Sequence, residues 1–331
     1  MRILFITQKL KAQDAFGTLW IREFIRQGAS VTVICLEDSG DKFEFPVLSL
    51  GKEKGASKFA SILKFEKLIL TQKYDRVFVH MAPVWYALGF WLWTLKRTPT
   101  YLWYTHYKMQ LGVKLFGWFG TRFFCATRQS LPQYEGSRKK TVVGHGIDLH
   151  FWPKRRNQSM NPQRLLVVHR LSRSKRLELS IRALTMLDPK YTIDVYGIEA
   201  EPEYVAELRT LVEELDLSHR VTFHGTIPMA KLPEIYTRHR LILNMASETI
   251  DKTMLEAMTC GCYPVTTSAN AKAIGINAAV DEDTAEAVAQ FVKMNSEETP
   301  LSADDMYKVV SERHGLEGLI HKMGEYMRQG T

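Results

Sequence analysis

The sequence has few of the features that mark several large protein classes. Only 4 of its 331 residues are cysteine, and no histidines stand beside them at zinc-binding spacing, so we expect neither a disulfide framework nor a metal site. The longest apolar run covers residues 84–95 and is too short to span a bilayer. The apolar start, MRILFITQKL, has no cleavage site, so we expect no signal peptide. These absences favour a cytoplasmic protein without a metal.

Three catalytic motifs are also missing from the sequence. The first apolar segment is not followed by G-x-G-x-x-G, and the chain has no Walker lysine loop and no H-E-x-x-H helix. Dehydrogenase, P-loop NTPase and zincin functions therefore lack their signatures.

The charge is distributed unevenly along the chain. The formal net charge is +8, but residues 1–160 hold 25 Lys and Arg against 11 Asp and Glu, whereas residues 161–331 hold 19 against 25. This asymmetry indicates either that the first half faces an anionic partner or that its basic surface is simply solvated. With 45% hydrophobic residues, the chain can bury a core in each of two domains.

Short apolar segments alternate with helical patterns through both halves. A polar linker, 154–163, separates two such series, so we expect two doubly wound α/β domains. Ligands of such folds bind at the carboxyl ends of the strands, and the cleft between two domains is the natural site. Predicted strands are 2–7, 31–36, 76–80, 100–104, 122–126, 140–143, 164–169, 191–197, 220–225, 241–245 and 263–267; predicted helices are 17–27, 177–187, 205–217, 231–239 and 254–259.

Two features of the second half could carry chemistry. Arg170 and Lys175 follow a predicted strand and could clamp a diphosphate, or they are solvated loop cations. Glu248 follows a later strand, and Glu256 lies in the next helix, whose N-terminus offers free N–H groups to a phosphate. These acids could accept hydrogen bonds from sugar and ribose hydroxyls, or they are ordinary helix glutamates.

Four segments in sequence order together resemble the retaining GT-B glycosyltransferases of family 4. They are VVGHGIDLHFWP (142–153), HRLSRSKRLELSIRAL (169–184), RVTFHGTIP (220–228) and MLEAMTCGCYPV (254–265). The resemblance implies a GT-B fold, with two Rossmann-like doubly wound domains facing across a cleft. It places an acceptor-binding domain at 1–153, a nucleotide-sugar-binding domain at 164–315, and a C-terminal helix, 316–331, that packs back toward the first domain.

The resemblance also implies roles for individual residues. Arg170 and Lys175 would bind the donor diphosphate and stabilise the leaving group, so that no cofactor or divalent metal is required. Glu256 would bind the ribose hydroxyls, and Glu248 would contact the donor sugar at the reacting centre. In the first half, His106 would face the sugar. Five further positions would border the nucleobase (Gly197, Gly225, Ile227) or lie near donor and acceptor (Asp14, Gly17).

One segment departs from the family pattern. Where members usually have Glu-Gly-Phe-Gly, this chain has Glu248, Thr249, Ile250 and Asp251, so both glycines are replaced. Asp251 adds a negative charge near the expected phosphate, which Lys252 could offset, and Thr249 could donate to a sugar hydroxyl. The donor sugar and, less strongly, the activity are therefore open.

The basic half has two segments suited to a membrane surface, 52–73 and 112–124, which mix lysine or arginine with apolar side chains. They could equally be helices with one face in the core. We expect an enzyme on the inner membrane face that moves a hexose-type sugar, with retention, from a UDP- or GDP-linked donor to a glycan or lipid-linked acceptor. The alternative is a catalytically weak GT-B protein that binds nucleotide sugars or glycans; a nucleic-acid binder ranks last because the second half is acidic.

Overall fold

The computed structural model describes residues 1–12, 17–106, 108–154, 160–246 and 250–329. The chain divides into two compact units: unit 1 is Met1–Gly146 with Gly315–Thr331, and unit 2 is Ile147–His314. The change from unit 1 to unit 2 therefore comes earlier than the predicted boundary at 153, because Ile147 and Trp152 are buried in the core of unit 2. The predicted linker, 154–163, falls partly outside the described residues.

Unit 1 is built on a seven-stranded parallel sheet. Its order is β3-β2-β1-β4-β5-β6-β7. The middle of the first strand, 3–6, is buried on both faces, as expected for a strand covered by helices on each side of a parallel sheet. The strands are β1 Arg2–Leu10, β2 Ser30–Asp38, β3 Val47–Ser49, β4 Arg76–His80, β5 Thr100–Trp103, β6 Arg122–Cys125 and β7 Lys140–Val142; the helices that connect them are α1 Gly17–Arg26, α2 Lys58–Thr71, α3 Pro83–Leu95 and α4 Leu111–Phe119.

Unit 2 has a five-stranded parallel sheet of order β10-β9-β8-β11-β12. This order places β8 at the centre, with one series of crossovers on each side. Its strands are β8 Arg164–Val168, β9 Thr192–Tyr196, β10 Val221–Gly225, β11 Leu241–Asn244 and β12 Tyr263–Thr266; its helices are α5 Leu177–Leu184, α6 Pro202–Glu214, α7 Leu232–Arg238, α8 Lys252–Thr259, α9 Ser268–Ile274, α10 Ala285–Asn295 and α11 Ala303–His314.

The last helix, α12 (Leu316–Gln329), belongs to unit 1. Its apolar side chains join those of α1 in a core on one side of the unit 1 sheet, where Ile320 and Met323 share a cluster with Trp20 and Phe24. Helices α2, α3 and α4 contribute to a separate core on the opposite side. The chain thus returns to its first unit after completing the second.

The predicted alternation of strands and helices is confirmed, with shifted ends. The helix predicted at 205–217 spans Pro202–Glu214, because Pro202 suits the first turn and the backbone of Asp216 turns to a φ of 54°. The segment 112–124 is not one amphipathic helix: α4 ends at Phe119, and β6 begins at Arg122. Within the described residues, no helix combines the length and apolarity that crossing a bilayer requires.

Candidate active site at the strand ends of unit 2

The carboxyl ends of the central strands of unit 2 meet along one edge of the sheet. Strand β8 ends at Val168, β9 at Tyr196, β10 at Gly225 and β11 at Asn244, and all pair in parallel. Most of the site residues predicted in the second half follow one of these ends. The sheet therefore positions them on the edge where α/β proteins bind their ligands.

Gly197 brings two of these strand ends into close backbone contact. Its N–H donates to the Gly225 carbonyl at 2.9 Å, and a Cβ at this position would lie 1.8 Å from the His169 carbonyl oxygen. Only glycine fits here. Burial lowers the pKa of the His169 imidazole, which favours the neutral ring. Ile227, the third residue predicted to border a nucleobase, is half-buried two residues beyond Gly225.

Lys175 is held in a buried ion pair. It lies in the short 3₁₀ turn before α5 with its side chain 7% exposed, and its Nζ donates to Asp251 Oδ1 at 2.5 Å. Asn244 Nδ2 donates to the other carboxylate oxygen, Oδ2, at 2.7 Å. The carboxylate that replaces a family glycine is therefore the partner of the lysine expected to bind the diphosphate.

Asp251 occupies the N-cap position of α8 without capping it. An N-cap aspartate usually accepts from the second or third amide of its helix. Here the Asp251 side chain makes no such bond, because it is turned toward Lys175 and Asn244. The Thr253 hydroxyl in the first turn is buried without a hydrogen-bond partner in the described structure. The positive end of α8 is thus free of side-chain capping by Asp251 and can face an anion.

Glu256 lies one turn further along α8 and is 5% exposed. Burial raises the pKa of its carboxyl to about 7; Lys252 lowers this pKa and Asp251 adds to it. Within the described ranges, no hydrogen bond joins its carboxylate to another residue. Burial, followed by the charge of Glu256, also raises the pKa of Tyr236 on α7 well above its usual value.

Arg170 differs from Lys175 in being exposed. It directly follows the buried His169 and forms no ion pair with a described residue, so its guanidinium can turn toward a ligand. The neighbouring Arg176, for which the sequence predicts no role, is instead fixed. Its Nε donates to the Met245 carbonyl at 2.7 Å and its Nη1 to Asp283 at 2.8 Å, which ties the lysine-bearing loop to the end of β11.

Asn244 is a further residue of this site that the sequence does not predict. The available signal was a polar residue at the end of an apolar strand, LILN, but its partner could not be predicted. Three of the predicted residues, Glu248, Thr249 and Asp14, lie outside the described residues. Ile250, next to Asp251, is 5% exposed and packs in the unit 2 core.

Two predicted residues belong to unit 1. Gly17 is the first residue of α1 and is buried. His106 is exposed after β5, with its ring 5.5 Å from that of Tyr104 and its carbonyl accepting from the Leu131 N–H at 3.3 Å. Each is placed within unit 1 by these local contacts.

A second buried carboxylate, Asp194 on β9, has a full set of partners. Arg164 Nε donates to it at 2.6 Å, and His224 and His239 lie at 2.6 and 3.2 Å. Burial alone would raise the pKa of Asp194, but the hydrogen bonds from His239, Arg164 and His224 lower it below its ordinary value. This cluster joins β8, β9, β10 and α7 as a structural element. Among the described residues, no group of three or more His, Cys, Asp or Glu side chains, this cluster included, is arranged so that it could hold a metal ion.

The second unit carries the family signal. Residues 150–295 match the family model of the group 1 glycosyl transferases. The matched range includes Arg170, Lys175, Asp251 and Glu256, whereas the first 149 residues lie outside it. No curated protein sequence matches the chain.

Solved structures are similar over nearly the whole chain. Alr3699/HepE from Anabaena in complex with UDP has a TM-score of 0.78 at 18% identity, covering 99% of this chain and 100% of that one. A glycosyltransferase from Rickettsia africae ESF-5 gives 0.79 at 15% identity, with coverages of 99% and 98%. Sucrose-phosphate synthase from Thermosynechococcus elongatus gives 0.76 at 16%, also with 99% and 98%.

At these identities the likeness establishes the fold. The chain has the two-domain, Rossmann-like GT-B fold, and the predicted fold class is confirmed. The group 1 match together with these structural neighbours supports a glycosyltransferase that uses a nucleotide sugar. Membership of family 4 and retention of configuration stay predictions.

Proposed function

We propose that the protein transfers a hexose-type sugar from a UDP- or GDP-linked donor to a glycan or lipid-linked acceptor at a membrane surface. The observation that carries this proposal is the buried Lys175, held at the strand-end edge of unit 2 beside the uncapped start of α8. A buried lysine is costly unless a negative charge pairs with it; Asp251 supplies one, and a bound anion can compete with it for the ammonium. A nucleoside diphosphate supplies two such charges at this edge.

Each part of the donor has a complementary group. Lys175 and Arg170 bind the diphosphate as a point charge and a planar fork, and the first-turn amides of α8 add the helix dipole. Glu256 accepts from the ribose hydroxyls through a carboxylate without other hydrogen-bonding partners in the described residues. The backbone at Gly197 and Gly225 borders the base. UDP is supported by the UDP and UDP-glucose complexes of Alr3699/HepE.

The proposed reaction is a substitution at the anomeric carbon. The bond from this carbon to the diphosphate oxygen breaks, a bond to an acceptor hydroxyl oxygen forms, and the hydroxyl proton leaves with the departing diphosphate. Lys175 and Arg170 stabilise the negative charge that develops on the leaving group, which is the role a metal ion has elsewhere. We therefore propose transfer without a divalent cation, and with retention, as the family 4 pattern implies.

Thermal shift with UDP, GDP, ADP and their sugars tests the donor site. A ligand at about 100 times its dissociation constant adds roughly 2.7 kcal/mol to the stability of the native state. We expect one nucleotide family to raise the midpoint, and we expect Arg170→Ala and Glu256→Ala to remove the shift. Arg173→Ala is the matched control, because Arg173 lies in the same loop but pairs with Glu207. No shift with any nucleotide would overturn the proposal.

The ion pair of Lys175 with Asp251 also favours a second candidate, a binding protein of low catalytic activity. A lysine already neutralised by a carboxylate contributes less to a developing charge on a leaving group. Donor hydrolysis and transfer to added glycans, measured after a positive thermal shift and with and without EDTA, separate the two functions. Binding without any turnover would identify the second candidate.

A further inference from the structure

Exposed apolar side chains are concentrated in three consecutive helices of unit 1. The structure describes eleven large apolar residues that are exposed, and nine of them lie on α2, α3 and α4. A monomeric protein rarely exposes such a group without a partner. We call these nine side chains the three-helix face: Phe59, Leu63 and Leu70 on α2, Val84, Trp91 and Leu95 on α3, and Leu111, Trp118 and Phe119 on α4.

The three helices cover the same side of the sheet and contact one another. Their inner side chains share one core, in which the Phe65 ring lies 4.9 Å from that of Trp85. Between α3 and α4, the rings of Phe90 and Phe119 are 5.3 Å apart. A Cβ at Gly112 would lie 2.0 Å from the Pro83 carbonyl, so α4 approaches the start of α3 as closely as a backbone can.

Each helix directs its exposed apolar residues to one side. Those of α2 recur at intervals of four and seven residues, those of α3 at seven and four, and Leu111 and Trp118 of α4 at seven, all of which keep side chains on a common helical face. Phe119 lies on the flank of α4 that contacts Phe90 of α3. The opposite faces are filled by buried residues of the core. The exposed apolar groups therefore lie on the sides of the three helices that face away from the core.

The charges among these residues are almost all positive. Lys58, Lys64 and Lys67 on α2 and Lys114 on α4 are exposed, whereas Glu66 is the one acid in the three helices. If two copies of the chain paired through this face about a twofold axis, each lysine-rich helix would meet an equally basic surface. An anionic lipid surface complements both properties, because acyl chains accept the apolar side chains and headgroups pair with the lysines.

We propose that the three-helix face docks the protein on an anionic lipid bilayer. Trp91 and Trp118 sit at the level of the headgroups, the leucines and phenylalanines enter the acyl boundary, and the lysines remain with the anionic headgroups. This inference specifies the membrane part of the proposed function. It concerns unit 1 alone, however, and does not depend on the donor site.

Vesicle flotation of the full chain tests the proposal. We expect flotation with phosphatidylcholine vesicles that contain phosphatidylglycerol, strongly reduced at high salt, and little with phosphatidylcholine alone. The triple variant Lys58→Gln, Lys64→Gln, Lys67→Gln should weaken binding by about 100-fold, since each basic residue contributes about fivefold. The matched control, Lys190→Gln, Lys231→Gln, Lys293→Gln, removes the same charge from exposed positions of unit 2 and should weaken it far less.

Apolar variants distinguish the insertion of side chains from simple electrostatic attraction. Leu95→Ser with Trp118→Ser should reduce flotation at least 10-fold. Ile198→Ser with Met294→Ser, which changes the two large exposed apolar side chains of unit 2 in the described part of the chain, should leave it unchanged. Absence of flotation with anionic vesicles at low salt would overturn the proposal. So would a dimer in size-exclusion chromatography that Trp118→Ser dissociates. The UDP-sugar thermal shift of the same variants reports the donor site separately.

Discussion

The two units of this protein differ in which side chains lie outside their usual environment. Unit 1 exposes apolar side chains, nine of the eleven large ones in the described structure. Unit 2 buries charge, since Lys175, Asp194, Arg220 and Glu256 are the four Lys, Arg, Asp and Glu residues that are buried as whole residues among those described. Buried charge costs folding stability unless it is paired, whereas exposed apolar side chains add little to that stability. The membrane proposal for unit 1 and the donor proposal for unit 2 each rest on this difference.

Removal of the buried Lys175 side chain should have the largest effect on donor affinity and on stability. In Lys175→Ala, we expect the affinity for a UDP-sugar to fall about 100-fold and the free energy of unfolding to fall by about 3 kcal/mol, because the Asp251 carboxylate is left without its cation. Calorimetric titration and urea unfolding measure the two effects.

A double variant separates the two contributions. Lys175→Met with Asp251→Asn removes both charges, so most of the stability should return while donor affinity stays low. Recovery of affinity in this variant would show that the lysine charge does not hold the diphosphate.

Neutralisation of Glu256 should stabilise unit 2 in a pH-dependent way. The carboxyl keeps its proton up to about pH 7 in the native state, whereas it ionises near 4.5 in the unfolded chain. The native state therefore binds the additional proton between these values, and this contribution to stability is lost as the pH rises toward 7. We expect Glu256→Gln to be more stable than the wild type by up to about 3 kcal/mol at pH 8, with no difference near pH 4.

The measurement is urea unfolding of both proteins across this pH range. Glu214→Gln on α6 is an exposed control and should show no such trend. In the wild type, binding of a UDP-sugar should tighten as the pH rises through 7, because ribose hydroxyls favour the ionised carboxylate; the diphosphate diester itself does not titrate there. A pH-independent difference between Glu256→Gln and the wild type would contradict the assignment.

The sequence predicted the strands well because their signal is local. Short β-branched apolar runs recur through both halves, and nearly every predicted strand lies within two residues of its observed ends. The sequence does not predict helix α3, because residues 84–95 are apolar on all sides and carry no helical periodicity. The ion pair of Lys175 with Asp251 joins residues 76 positions apart, so no local pattern could indicate it.

Replacement of Asp251 alone should have a smaller and opposite effect. In Asp251→Asn, we expect UDP-sugar affinity to rise about 10-fold, because the carboxylate no longer competes with the diphosphate for Lys175. Asp283→Asn is the control, since Asp283 pairs with Arg176 of the same loop and is half exposed. Weaker binding in Asp251→Asn would show that the carboxylate orients the lysine rather than competing for it.

The smallest change in the free energy of unfolding should come from a substitution on the three-helix face of unit 1. Leu95 is 76% exposed on α3, whereas Leu92, one turn earlier, is 3% exposed. We expect Leu95→Ser to change the free energy of unfolding in urea by less than about 0.5 kcal/mol, and Leu92→Ala to lower it by about 2–5 kcal/mol. A loss of stability in Leu95→Ser comparable to that of Leu92→Ala would place Leu95 in the core. A stability near that of the wild type, with weaker vesicle binding, would mean that Leu95 contacts the lipid surface and not the protein core.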